Sequence, residues 1–146
     1  MLENYLTKDV IKVNVKAANW EEAVRTGGEL LVNAQKCRPE YVDAMVRTVR
    51  ELGPYMVLAP GLALAHARPE DGTLAVGLSL ITLAEPVEFG SIVNDPVKVV
   101  ISFCAVDRDG HVEVLKALAE FLRIEENQVL LREAVTVDEL LVAIGK

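Results

Sequence analysis

A chain of 146 residues that is 51% hydrophobic is expected to form one domain, residues 1–146, with a core hiding ~70% of the unfolded chain's surface. A net charge of −7 and only 5% aromatic residues exclude the basic stripe that nucleic-acid binding needs and leave a poor surface for stacking bases or sugars. No run of ~18 uninterrupted apolar residues is present, so no membrane insertion is expected. MLENYLTKDV at the amino terminus lacks a basic region followed by an apolar core, which makes the expected location cytoplasmic.

In chain order, Ile11, Val13 and Val15 alternate with Lys12, Asn14 and Lys16, the pattern of a half-buried strand. Asn19 with Glu22 resembles a capping box opening a helix whose apolar side carries Trp20, Ala23, Val24, Gly27, Leu30, Leu31 and Ala34. Pro39 suits the first position of a second helix, running through Tyr41, Val42, Met45 and Val49 to about Leu52. Tyr55–Ala59, Leu74–Leu83 and Val97–Ala105 read as strands. VKVVISFCA is apolar on both faces, which implies a sheet covered on both sides. Gly72, Pro86, Gly90 and Asn94-Asp95-Pro96 punctuate the connections. The last third is helical: His111–Leu122, Glu126–Arg132 and Val137–Ile144, the final one with Thr136 and Glu139 as a capping box. The expected fold is α/β, a three-layer α/β/α sandwich with a mixed sheet flanked by helices, in the order β-α-α-β-β-β-α-α-α. No repeat or linker interrupts it.

The chemistry-bearing residues are few. The two cysteines, Cys37 and Cys104, lie far apart and read as reduced core residues. Two histidines without HExxH or a cysteine cluster do not make a metal site, so neither metal nor cofactor is expected. GxSxG, GxxxxGK(S/T) and GxGxxG are all missing, which removes a hydrolase elbow and the usual phosphate loops. His66 lies between Pro60-Gly61 and Pro69 among the small residues Ala63, Ala65 and Ala67. It is either a histidine with a satisfied ring or an accessible nucleophile, since a neutral imidazole is competent near pH 7. Phosphoryl transfer to the ring fits the second reading, because it needs a nucleophilic nitrogen, donors for the phosphoryl oxygens and little else. His111, near a helix start, is either without special duty or a donor to a phosphoryl oxygen, with the helix N-terminus adding N–H groups. Arg68 is a solvated loop residue or a phosphate partner. Arg47 and Arg50 belong to a solvated face of the second helix unless that helix packs beside the His66 loop, where Arg50 becomes a candidate phosphate clamp. Asp107 or Asp109 is a candidate cap for the His111 helix.

GPYMVLAPGLALAHARPEDG (53–72), EFGSIVNDPVKVVISFCAVDRDGHVEVL (88–115) and the terminal helices carry a resemblance over nearly the whole chain. The sequence resembles the enzyme IIA domain of the bacterial phosphoenolpyruvate-dependent sugar phosphotransferase system, in its mannitol/fructose class and closest to the ascorbate-type branch. The resemblance implies that His66 accepts a phosphoryl group from the phosphohistidine of the carrier HPr. It implies transfer onward to a cysteine of enzyme IIB, which phosphorylates the sugar entering through the membrane enzyme IIC. It implies that His111 lies beside His66 and stabilises it. Arg50 matches by distance the second-helix arginine of the mannitol branch, and Arg47 fits nearly as well. Ala65 departs from the family pattern, which has proline before the active histidine. The alternative is a regulatory enzyme IIA-like protein that signals its phosphorylation state by binding other proteins.

Overall fold

The computed structural model describes residues 1–145. The alternating segment becomes β1, Ile11–Val15. Helix α1, Trp20–Asn33, starts at Asn19, whose side chain accepts the Glu22 N–H at 3.0 Å. The Glu22 carboxylate in turn accepts the Ala18 N–H at 2.6 Å, so two otherwise orphaned donors are satisfied. Helix α2, Pro39–Leu52, begins on its proline as expected. There follow β2 (Val57–Ala59), β3 (Leu62–Ala65), β4 (Gly77–Val87) and β5 (Val97–Cys104), then α3 (Arg108–Leu122), α4 (Glu125–Glu133) and α5 (Val137–Ile144).

The five strands form one mixed sheet in the order β1-β4-β5-β3-β2. The β1–β4 and β3–β5 pairs are parallel, and the β4–β5 and β2–β3 pairs antiparallel. Each face is covered. On one side α1 and α2 bring Val24, Leu31, Tyr41 and Met45 against Ile81, Leu83, Val100 and Cys104. On the other, Leu2, Leu6 and the last three helices bring Val114, Leu118, Leu131 and Leu140 against Leu78, Leu80, Ile101 and Phe103. Successive side chains of a strand point to opposite faces, so β5 feeds both cores and must be apolar throughout. The three-layer sandwich is therefore the one expected. Cys37 and Cys104 are buried free thiols.

Helix α1 lies close on the sheet because Gly27 has no side chain. A Cβ there would stand 2.6 Å from the Ser102 hydroxyl, and the Gly27 carbonyl accepts the Ser79 hydroxyl at 2.7 Å.

The element order differs from expectation at one point. The short apolar link after Pro60-Gly61 is a strand, β3, so four strands rather than three follow α2. Four residues of Leu-Ala-Leu-Ala carry no alternation of their own. They become a strand by parallel pairing with β5, from Leu62 opposite Val99 to Ala65 opposite Ser102. Pro60-Gly61 is the turn of a hairpin, with Gly61 at φ +76°. A left-handed glycine after proline is the type II signature. Strand β4 begins at Gly77, not Leu74, and continues through Pro86 to Val87. Strand β2 begins only at Val57, because Pro54–Met56 is a single 3-10 turn. Helix α3 begins at Arg108 rather than His111, capped by Asp107, whose side chain accepts the Gly110 N–H at 2.7 Å.

Candidate functional site

Parallel pairing sets the carboxyl ends of β3 and β5 side by side, the edge at which sites gather in α/β sheets. His66 is the first residue after β3. The chain leaving β5 turns at Asp107 and places His111 in the first turn of α3. The two histidines, 45 positions apart by their numbers (111 − 66), face one cleft of about 400 Å³. Thr48, Glu51 and Leu52 at the end of α2 form one wall, and Tyr55 another. Ala67, Arg68 and Pro69 form the lip after His66.

His66 is half-buried, and both ring nitrogens have partners. Nδ1 lies 3.2 Å from the Leu64 carbonyl oxygen, and Nε2 lies 3.3 Å from the Tyr55 hydroxyl. A carbonyl oxygen only accepts, so Nδ1 carries the proton and Nε2 presents its lone pair. The Tyr55 ring meets the imidazole edge-on, with centroids 5.7 Å apart and planes at 73°. Burial lowers the pKa of His66 below its ordinary 6.5; the Leu64 carbonyl opposes this, and the nearby His111 adds to the lowering. The ring is therefore neutral at pH 7.

His111 is packed edge-on to the Phe103 ring, with centroids 5.0 Å apart. Its own N–H closes the first helical bond, to the Asp107 carbonyl at 3.1 Å. The backbone donors at the helix start thus belong to residues before it. Tyr41 ties the two histidine supports together from below. Its buried hydroxyl accepts the Ala67 N–H at 2.9 Å and donates to the Phe103 carbonyl at 2.7 Å. Burial pushes that phenol far above its ordinary pKa, so it stays neutral.

The arginines separate. Arg68 lines the cleft, with an exposed side chain 3.8 Å from Glu70 and 3.9 Å from Asp71. Arg50 turns toward α1, where it pairs with Glu21 and lies over the Trp20 ring at 5.9 Å. It is not part of the cleft wall. Arg47 is exposed on α2 and also lies off the wall. Ala65 is fully buried at the end of β3, under the histidine.

Sequence reasoning missed Tyr55, Glu51 and Tyr41. Tyr55 had a usable signal. Two apolar runs joined by Pro-Gly form a hairpin, and a hairpin returns the residues before β2 to the end of β3. Tyr41 had none, since its partners lie 26 and 62 residues away.

Residues 4–146 match the family described as "Phosphoenolpyruvate-dependent sugar phosphotransferase system, EIIA 2". The chain is 42% identical over 132 residues to the ascorbate-specific PTS system EIIA component of Escherichia coli K12, covering 90% of this chain and 86% of that protein. Its fold is similar to the solution structure of the mannitol-specific cryptic phosphotransferase enzyme IIA CmtB from Escherichia coli. That likeness has a TM-score of 0.90 at 34% identity, over 98% of this chain and 97% of the other. It is also similar to a chain in the complex of enzyme IIAMTL with phosphorylated enzyme IIBMTL from Escherichia coli. There the TM-score is 0.83 at 31% identity, covering 95% and 96% of the two chains.

Proposed function

This chain belongs to the EIIA 2 family of the phosphoenolpyruvate-dependent sugar phosphotransferase system, and from there we propose that it carries the phosphoryl group on Nε2 of His66. The group comes from the phosphohistidine of HPr. It leaves to a cysteine of an ascorbate-type enzyme IIB, serving uptake of ascorbate or a related sugar or sugar alcohol through enzyme IIC. The observation that carries this reading is the state of the His66 ring: held by Leu64 through Nδ1, it turns the lone pair of Nε2 toward Tyr55 at the mouth of a cleft.

The steps balance. The Nε2 lone pair attacks phosphorus, and the nitrogen–phosphorus bond of the donor breaks with its electron pair returning to the donor imidazole. Nδ1 keeps its proton, so phosphorylated His66 is an imidazolium whose positive charge rests against the Leu64 carbonyl. That charge makes His66 a good leaving group. A thiolate on the next protein attacks phosphorus, and Nε2 departs with its pair as neutral imidazole. The lowered pKa serves acceptance, because only the neutral ring is a nucleophile. His111 lines the same cleft, which supports reading it as a donor to a phosphoryl oxygen. Arg68 is the guanidinium on the cleft wall, and its loose ties to Glu70 and Asp71 leave it free to turn toward an anion. Arg50 instead pairs with Glu21, away from the cleft wall.

The ascorbate assignment rests on the 42% identity to the ascorbate-specific component. The test is intact mass after incubation with phosphoenolpyruvate, enzyme I and HPr. One acid-labile gain of about 80 Da, lost in His66→Ala, is expected. Addition of an ascorbate-type enzyme IIB should discharge it, and undiminished labelling of His66→Ala would overturn the assignment.

A further inference from the structure

We propose that Tyr55 is a second catalytic group of this site, its hydroxyl holding Nε2 of resting His66 and passing to a phosphoryl oxygen as the new bond forms. The inference rests on the carrier reading above and names a role for a residue which that reading leaves idle.

The geometry sets the direction of the hydrogen bond. With the Nδ1 proton committed to Leu64, Nε2 can only accept, so the Tyr55 O–H donates across 3.3 Å. Burial raises the Tyr55 pKa above its ordinary value, and the hydroxyl keeps its proton at neutral pH. The residue is built into the turn Pro54–Met56, ahead of the hairpin strand that packs beside β3. Its ring rests edge-on against the imidazole while staying 45% exposed. It is thus anchored at the site and still able to move aside from the line of attack.

When Nε2 attacks, its lone pair becomes the bond to phosphorus, and the donor's nitrogen–phosphorus bond breaks with its pair. The Tyr55 O–H loses its acceptor at that moment. The phosphoryl oxygens arrive one bond beyond Nε2, within reach of a small rotation. A neutral acceptor is exchanged for an anionic one, and hydrogen bonds to ionised partners are shorter and about twice as strong. The interaction therefore grows toward the transition state, which is the condition for acceleration. No proton is transferred.

The test is Tyr55→Phe in the full chain, which keeps the ring and removes only the hydroxyl. Single-turnover phosphorylation by phospho-HPr should slow about tenfold, the effect of one charge-assisted hydrogen bond. The KM for phospho-HPr should stay within about twofold. The equilibrium between the two phosphohistidines should shift several-fold toward HPr. The phosphorus resonance of phospho-His66 should move, and the unfolding temperature should not. A wild-type rate and equilibrium in Tyr55→Phe, with His66 still labelled, would overturn the role of Tyr55 and leave the carrier reading intact. A raised KM with an unchanged saturating rate would overturn it too, making Tyr55 a docking contact. Absence of phosphate on His66 in the wild type would overturn both.

Discussion

At the scale of single residues, the site works through who holds which proton. The lowered pKa of His66 has a definite sign. Phosphoryl acceptance should fall as pH drops through a midpoint below 6.5, tracking protonation of Nε2, and a pH–rate profile of labelling with the donor held phosphorylated checks this. The same shift links to stability. The unfolded chain binds the His66 proton more readily, so this contribution is present above pH 6.5 and is lost as pH falls through the lower folded pKa. Tyr41 is the other residue whose change should be felt beyond itself. In Tyr41→Phe the Ala67 N–H and the Phe103 carbonyl lose their shared partner in a buried place. A destabilisation of about 1–3 kcal/mol is expected by urea unfolding, together with slower phosphorylation, because both histidine supports are released.

At the scale of elements, the start of α3 and the seat of α1 matter most. Asp107 caps the helix that carries His111. Asp107→Ala should cost about 1 kcal/mol in stability and slow transfer by loosening the first turn. Retained kinetics would show that His111 is held by Phe103 alone. Gly27→Ala places a methyl 2.6 Å from the Ser102 hydroxyl in the tight seam between α1 and the sheet. The helix must lift or the serine must turn, with an expected loss of about 1–3 kcal/mol in a thermal melt. Helix α1 also lies close beside α2 at Gly28, where a Cβ would stand 2.7 Å from Val42, and across this pair of helices Glu21 meets the Arg50 guanidinium.

At the scale of the molecule, the cleft draws on both helical layers, with the end of α2 coming from one face and the start of α3 from the other. The cleft sits at the carboxyl ends of β3 and β5, with α2 as its wall. Helices α4 and α5 pack beside α3 on the second face, and the cleft is lined by His111 of α3 rather than by them. Leu140→Ala, at a fully buried position of that layer, should lower stability by about 2–5 kcal/mol. The folded fraction should still accept phosphate at the wild-type rate. Urea unfolding and labelling on one sample separate the two, and a slowed rate would mean that packing in α4 and α5 shapes the cleft.

The helices, their caps and the two-sided sheet were legible in the residues because they depend on near neighbours. Asn19 and Thr136 cap their helices through residues three positions on, and an apolar β5 announces cover on both faces. His66 stood out by the same local logic, as a lone imidazole among small residues and prolines. The fourth strand after α2 did not, because Leu62–Ala65 has no alternation of its own and becomes a strand by pairing with β2 on one side and, on the other, with β5 more than thirty residues downstream. Nor did the Tyr41 brace or the turn of Arg50 toward Glu21. Each joins groups set together by packing, and hydrogen bonds and ion pairs reach only a few ångströms in space, whatever their distance along the chain.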